Sequence, residues 1–296
     1  MAKLDPFYKW TGGKRKEIKF FEKYFPSFIK NDEKYTYVEP FFGGGAVYWY
    51  LNNVKGNNVI NDLETDIMNF LSCVKNQDEE FLREVLSIDN YLKDITKKED
   101  NKELSIPDAK TERGKKYYEL RGLDSNPGLK NISLTKRAIR FFIMNQLSFN
   151  GMRRFNGSGF FNVPYGNYKK IGNADLLSSP KHIELLKLTE LNSTDFSEIM
   201  LRNDNENTFI YLDPPYTREF KEYTAGDAFL EKDQRRLSEI FKNSKKSKIM
   251  LIINDSELIR ELYDGYIVEQ YDIKYGTNIK NRYDTKSIHL IICNYK

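Results

Sequence analysis

The stretch that most constrains the fold is Tyr35–Asp62. An aromatic and β-branched run, Tyr35-Thr-Tyr-Val38, stops at Glu39-Pro40, and the turn Phe41-Phe-Gly-Gly-Gly-Ala-Val47 follows. The pattern predicts a helix through about Leu51, then a second strand, Asn58-Val-Ile-Asn61, ending at Asp62. Strand, glycine-rich turn, helix, strand is the opening of a doubly wound α/β sheet. Gly43, Gly44 and Gly45 let the backbone turn tightly and approach a ligand at the edge of such a sheet. The turn does not read GxGxxG, which disfavours a dinucleotide. Asp62, 17 residues beyond Gly45, is placed to accept both ribose hydroxyls of an adenosine-containing cofactor. Taken one at a time, the triple glycine reads equally as a plain turn and Asp62 as a helix cap.

Further strands are predicted at Thr208–Leu212, Lys248–Ile253, Tyr266–Ile273 and Ser287–Cys293, and a helix at Glu64–Asn76. The strand Thr208–Leu212 ends on Asp213-Pro214-Pro215-Tyr216. Ligands bind beyond the carboxyl ends of strands in open α/β sheets, so Asp213 projects into the expected cleft. Pro215 restricts Pro214 to extended geometry, and neither proline has an N–H, so the Pro214 carbonyl is held in a fixed direction. Two fixed acceptors suit an exocyclic NH₂. Hydrogen bonds from both its N–H groups make the nitrogen more nucleophilic, and the carboxylate stabilises the positive charge that develops. Tyr216 supplies a face for a planar base. An Asp-Pro-Pro turn after any strand would look the same.

Between these two halves the pattern changes. Asp89–Lys116 is dense in mixed charge and is expected to be an exposed helix with a mobile connection; Thr135–Leu147 has apolar residues at helical spacing. From Ser125 to Ala174 there is no Asp or Glu, whereas Lys130, Lys136, Arg137, Arg140, Arg153, Arg154, Lys169 and Lys170 are basic. With 43 acidic residues in 296, a window of that length would carry about seven. Such depletion is what a surface facing phosphates requires, although a solvated basic face would read alike. The chain is therefore divided into a sheet domain, 1–75 and 175–296, and an inserted, mainly helical second domain, 76–174, which is expected to serve DNA recognition if the basic window faces phosphates.

Other classes are disfavoured. No apolar run reaches the roughly 20 residues of a membrane span, and the opening MAKLDPFYKW has no apolar stretch behind a basic start, so no secretory signal is expected. Cys73 and Cys293 lack CxxC spacing and His182 and His289 stand apart, so no metal site is expected and a cytoplasmic protein is.

Five blocks, KWTGGK, EPFFGGGAV, NDLETDI, FNGMRRFN with FNVPYG, and YLDPPY, stand in the order and spacing of the DNA adenine methyltransferase (Dam) family. The chain resembles that family, the α group of N6-adenine-specific amino-methyltransferases, over nearly its whole length. The resemblance implies a Rossmann-like methyltransferase sheet using S-adenosylmethionine, with methyl transfer to N6 of a flipped-out adenine in duplex DNA, GATC being the first expectation for the site. It implies cofactor contacts at Trp10, Lys14, Phe41, Gly43, Gly45, Asp62, Asp195, Phe196 and Asp213, and catalysis at Asp213, Pro214, Pro215 and Tyr216. Trp10 offers a π face to a sulfonium or an adenine, and Lys14 a cation for a carboxylate; Asp195 reads equally as a helix cap. By the same resemblance Arg154 occupies the guanine-reading position, Phe149 an aromatic place near the extruded base, Asn150 a base or backbone contact, and Lys9 a place near the first base of the site. Arg153 stands where the family usually has an uncharged residue, so the two arginines are interchangeable as readers. Lys130, Lys136, Arg137, Arg140, Lys169 and Lys170 are assigned to phosphates. The loop Gly276–Ser287 resembles the family's variable loop beside the target base, or is a plain hairpin loop. A cognate restriction endonuclease acting separately is a possible partner. Open alternatives are a catalytically silent DNA-binding homologue, and an amino-methyltransferase acting on RNA or on cytosine N4.

Overall fold

The computed structural model describes residues 3–99, 110–122, 132–157, 159–215, 229–274 and 286–295. In chain order its main elements are α1 (Ile18–Phe21), α2 (Ser27–Lys30), β1 (Thr36–Glu39), α3 (Ala46–Leu51), β2 (Asn57–Asn61), α4 (Thr65–Asn76), α5 (Glu79–Glu99), α6 (Glu112–Gly122) and α7 (Leu134–Leu147). Then come α8 (Pro180–Lys187), β3 (Thr189–Asn192), α9 (Phe196–Arg202), β4 (Thr208–Leu212), α10 (Glu231–Asn243), β5 (Lys248–Asn254), α11 (Glu257–Leu262), β6 (Ile267–Lys274) and β7 (Lys286–Cys293). The seven strands form one sheet in the order β3-β2-β1-β4-β5-β7-β6. Strands β1 to β5 are mutually parallel and β7 runs antiparallel to both of its neighbours, β5 and β6. This is the Rossmann-like sheet that the resemblance implies; the one reversed strand, β7, is a feature the sequence pattern did not specify.

The central strands read as continuous apolar runs because both of their faces are covered. Along β4, Phe209 and Tyr211 face one side with Tyr37, Phe42, Met250 and Ile252. Ile210 and Leu212 face the other with Val38, Val59, Leu251 and the helices α9 to α11. The first face is shared. Phe81, Val85 and Leu92 of α5, Tyr117 of α6, and Phe141 and Phe142 of α7 pack into the same core as the sheet. The inserted segment is thus seated directly on the sheet.

One expectation needs correcting here. Asp89–Lys116 is not simply an exposed helix: Phe81, Val85, Asp89, Leu92 and Thr96 form a buried stripe along α5 at helical spacing. Asp89 is 2% exposed and accepts the Ile171 N–H at 2.8 Å. The buried Arg113 donates to the Thr96 hydroxyl at 3.0 Å, and the Tyr117 hydroxyl donates to the Val163 carbonyl at 2.8 Å. Charge density alone hid an amphipathic helix, α5, whose polar residues Asp89 and Thr96 secure the chain at Ile171 and Lys169, while Tyr117 of α6 secures Val163. The middle of that segment, 100–109, lies outside the described residues, as does most of the loop Gly276–Ser287.

Candidate active site

Parallel strands β3, β2, β1 and β4 are neighbours, so their carboxyl ends open on one edge of the sheet. Asn61 fastens that edge: its amide donates to the Pro40 carbonyl (2.9 Å) and the Thr194 carbonyl (3.0 Å) and accepts the Thr194 N–H (2.8 Å). The next residue, Asp62, is held on both oxygens, by the Gly43 N–H at 2.7 Å and the Glu64 N–H at 2.9 Å. Burial pushes its carboxyl up to about 6, although those two backbone donors favour the ionised form.

The glycine turn is shaped by what lies against it. A Cβ on Gly43 would stand 2.5 Å from Trp10 Nε1, and one on Gly44 would stand 2.6 Å from Trp10 Cβ. Gly45, at φ +64°, takes the left-handed conformation that turns the chain into α3. The Tyr8 hydroxyl donates to the Gly43 carbonyl at 2.7 Å. So Trp10 is stacked on the turn itself. Phe41 packs against Phe196 (5.3 Å between centroids) and Phe229 (5.6 Å), forming an apolar wall beside the same edge. Asp195 caps α9: its Oδ1 accepts the Ser197 N–H at 2.9 Å and its Oδ2 accepts from Arg236 at 2.8 Å. Burial alone would raise this carboxyl, but Ser197 and Arg236 hold it below its ordinary value. The cap reading of Asp195 is the one its carboxylate adopts here.

At the end of β4 the Asp213 carboxylate receives Lys14 Nζ on Oδ1 at 2.9 Å. Lys14 also donates to the Gly12 carbonyl, 2.9 Å away, so the KWTGGK block supplies Asp213 with a counter-ion. Burial raises the Asp213 carboxyl above its ordinary value and Lys14 offsets part of that. Behind it, Glu17 Oε2 is 2.9 Å from the Tyr271 hydroxyl and 2.9 Å from His289 Nδ1. Pro214 is buried, and the Pro215 carbonyl accepts from Gln234 of α10 at 3.4 Å. Tyr216 lies outside the described residues.

The recognition segment meets this edge through the N-terminus. Asn145 of α7 accepts the Lys9 N–H (3.2 Å) and donates to the Lys9 carbonyl (2.8 Å). Lys9 Nζ reaches the Tyr168 hydroxyl at 3.0 Å. Phe149 is 41% exposed, and Asn150 sits at φ 55° in the turn that follows. The two arginines have different surroundings. Arg153 pairs with Glu64 at 3.0 Å and its guanidinium covers the Phe141 ring at 4.8 Å. Arg154 lies on a short hairpin, donating to the Asn162 side chain at 2.8 Å and its carbonyl at 3.3 Å. Lys136, Lys169 and Lys170 are exposed. Arg137 instead ties α7 to α4 through Asp66 (2.7 Å) and Thr65 (3.2 Å). Lys130 lies outside the described residues.

Several residues at this edge carry no sequence signal of their own. Tyr8 and Asn145 matter through backbone atoms they hold, which no motif spells out. Glu39 is buried at the end of β1, accepts the Tyr37 hydroxyl at 2.8 Å, and is pushed well above its ordinary pKa by burial. It follows the apolar run as Asp62 and Asp213 follow theirs, and that shared position is the signal by which it was findable. Cys73 and Cys293 are buried, and burial pushes their thiols up to about 11 and about 12, so neither is a ready nucleophile. Among the described residues no group of three or more His, Cys, Asp or Glu is placed to hold a metal ion, and no helix is long and apolar enough to cross a membrane.

The family description "D12 class N6 adenine-specific DNA methyltransferase" matches residues 10–281. The chain belongs to this family. It is 31% identical over 295 residues to the type II methyltransferase M.CviBI of Paramecium bursaria Chlorella virus NC1A, covering 99% of this chain and 100% of that one. It is also 31% identical to the type II methyltransferase M.MjaIII of Methanocaldococcus jannaschii, covering 99% of each. Against the DNA adenine methylase of Haemophilus influenzae it is 28% identical, covering 88% of this chain and 83% of that one. As a D12 class methyltransferase the chain is an adenine-specific DNA methyltransferase, and its methyl donor is S-adenosylmethionine. The residues fit that donor. A carboxylate poised by two N–H groups ends β2, a glycine turn with no room for a Cβ ends β1, and an aromatic wall stands beside them.

Proposed function

We propose that this D12 class enzyme methylates N6 of an adenine swung out of duplex DNA. Residues 1–75 and 175–296 act as the catalytic part and 76–174 as the recognition part. When bound, S-adenosylmethionine supplies a methyl carbon on a sulfonium, open to direct in-line displacement. Asp62 would accept the ribose hydroxyls, Trp10, Gly43 and Gly45 would pack the nucleoside end, and Phe41 and Phe196 would flank the adenine.

Asp213 carries the transfer in this reading. Lys14 occupies Oδ1, so Oδ2 is the oxygen assigned to one amino proton and the Pro214 carbonyl takes the other. Both acceptors draw the nitrogen's protons and raise its nucleophilicity, and the carboxylate stabilises the charge that appears on it. Lys14 offsets part of the rise that burial imposes on that carboxyl and so favours its ionised form. Tyr216 is assigned the stacking face. Extruding the base costs a few kcal/mol, and Phe149, 41% exposed, is assigned a place near the extruded base. Arg154 is assigned to a guanine edge, Asn150 and Lys9 to neighbouring bases, and Lys136, Lys169 and Lys170 to phosphates.

The observation that carries the reading is the convergence of Asp62, the glycine turn and the Lys14–Asp213 pair on one end of adjacent parallel strands. The test is transfer of labelled methyl to duplex DNA, single-stranded DNA and RNA, followed by mapping of the modified base. N6-methyladenine in duplex DNA within one short motif is expected, with GATC the first candidate. Label in RNA or on cytosine N4 would overturn the substrate assignment. The type II names of the viral and archaeal relatives support a role beside a separate cognate endonuclease, and the similarity to the DNA adenine methylase of Haemophilus influenzae supports a place in the cytoplasm of a bacterial or phage-infected cell.

A further inference from the structure

Arg153 is set into a closed circuit of contacts. Its guanidinium is 3.0 Å from Glu64, with the side chains 12% and 29% exposed. The Glu64 N–H donates to Asp62, as does the Gly43 N–H. The Gly43 carbonyl takes the Tyr8 hydroxyl, the Tyr8 ring stands edge-on to Phe141 at 5.2 Å, and Phe141 is the ring under Arg153. The circuit therefore runs from the cofactor acid to the recognition loop and back without leaving van der Waals or hydrogen-bond contact. On its other side Arg153 lies 5.5 Å from the Phe155 ring, and Phe155 pairs with Phe161 in the hairpin that carries Arg154.

A guanidinium so enclosed is poorly placed to reach a base edge. Leaving the circuit would strand Glu64 beside Asp62, two carboxylates with one cation removed. We propose that Arg153 is a positioning residue that couples the cofactor turn to the DNA-recognition hairpin, through Glu64, and does not read the DNA sequence. Ordering Asp62 on a bound nucleoside fixes Glu64, which fixes Arg153 and with it the hairpin that aims Arg154. The coupling is reciprocal, since DNA that orders the hairpin tightens the cofactor turn by the same factor. This rests on the assignment of Asp62 to the cofactor ribose.

The test uses the full chain and three variants: Arg153→Met, which keeps the stem without the charge, Glu64→Gln, and the pair together. Cofactor affinity is measured with and without cognate duplex, and discrimination between the cognate site and single-base variants is measured alongside. In the wild type, duplex should tighten cofactor binding. Each single variant should lose about tenfold of that tightening, the double variant no more than either, and Arg153→Lys should restore part of it. Discrimination measured without cofactor should be unchanged in all of them, because in this proposal only a loaded cofactor turn orders the hairpin. Loss of that cofactor-free discrimination at one guanine in Arg153→Met, or losses of tightening that multiply in the double variant, would overturn the proposal. Glu64→Gln keeps the side chain's size at a partly exposed position, so it keeps the test open if Arg153→Met fails to fold. Asp62→Asn separates the two readings. If it binds cofactor normally the ribose assignment fails, whatever the Arg153–Glu64 cycle shows.

Discussion

Lys14 Nζ sits 2.9 Å from Asp213 Oδ1, with Lys14 itself 2% exposed. An almost fully buried ammonium needs a partner, and the acid that ends β4 provides one. The pair thereby distinguishes the carboxylate's two oxygens: Oδ1 is committed to Lys14 within the protein, and Oδ2 is the one assigned to the substrate. It also bears on the charge state. Burial pushes the Asp213 carboxyl up, and Lys14 is the largest influence pulling it back.

That balance sets the acid limb of the pH–rate profile. Asp213 accepts protons only when ionised, so turnover is present above its raised pKa and is lost as pH falls through it. Lys14→Met removes the main opposing influence and is expected to move the acid limb of kcat/KM to higher pH, with kcat reduced. Asp213→Asn is expected to cost about 10²–10³ in kcat and to abolish the limb, while specific DNA binding persists. A Lys14→Met profile unmoved from wild type would show that the lysine serves only the cofactor.

Asp62 makes a second pH dependence. Its carboxyl is raised to about 6 by burial, and only the ionised form accepts two ribose hydroxyls. Cofactor affinity is therefore expected to be full above about pH 7 and to fall as pH drops through 6. In Asp62→Asn the affinity should be low and flat with pH. Isothermal calorimetry from pH 5 to 8 checks this; an Asp62→Asn variant that still shows the inflection would place the titrating group elsewhere.

The strand–glycine–strand opening and the DPPY turn were legible because each obeys a local rule. An apolar run ends on an acid, and glycine or proline fixes the next step. Right-handed crossovers narrow the possible sheet orders, but the place of β3 at one edge and the reversal of β7 rest on pairings that the structure alone shows. What local rules do not convey is partnership across the chain. Lys14 was readable as a cation for a ligand carboxylate, but the carboxylate it meets lies 199 positions away, just beyond β4. Arg153 and Arg154 are adjacent and chemically alike, yet one is held by Glu64 on the sheet side and the other by Asn162 on the hairpin. Arg137 carried the same basic signal as Lys136, and only packing of α7 on α4 gave it Asp66. Helical spacing in α5 was present in the sequence all along, masked by the mixed charges between the buried positions.

Arg154 and the exposed lysines are expected to behave differently. Arg154→Ala should lose about 1–3 kcal/mol of discrimination at one guanine, whereas Lys136→Ala, Lys169→Ala or Lys170→Ala should weaken binding to all sequences and lower the salt slope by about one each. Asn162 holds the Arg154 guanidinium twice, so Asn162→Ala should reproduce a fraction of the Arg154→Ala loss without touching the base itself. Binding titrations at several salt concentrations, on cognate and single-base-changed duplexes, distinguish the two groups. A uniform loss for Arg154→Ala would make it a phosphate contact.

Three glycines separate the demands of the fold from those of the site. At Gly56 a Cβ would lie 1.8 Å from the Tyr35 carbonyl oxygen, a backbone atom at the entrance to β1 that has nowhere to move. Gly56→Ala is therefore expected to lower stability by on the order of 2–3 kcal/mol or more. At Gly44 the obstacle is Trp10 Cβ at 2.6 Å. The Trp10 segment can shift, but only by lifting the ring off the turn, so Gly44→Ala should cost less in Tm and more in cofactor affinity. Gly157 has nothing within 4 Å of its Cβ position, and Gly157→Ala should change neither. Thermal unfolding and cofactor titration on the three variants give the ordering. If Gly44→Ala lost stability as heavily as Gly56→Ala while binding cofactor normally, Trp10 would belong to the core and not to the cofactor site.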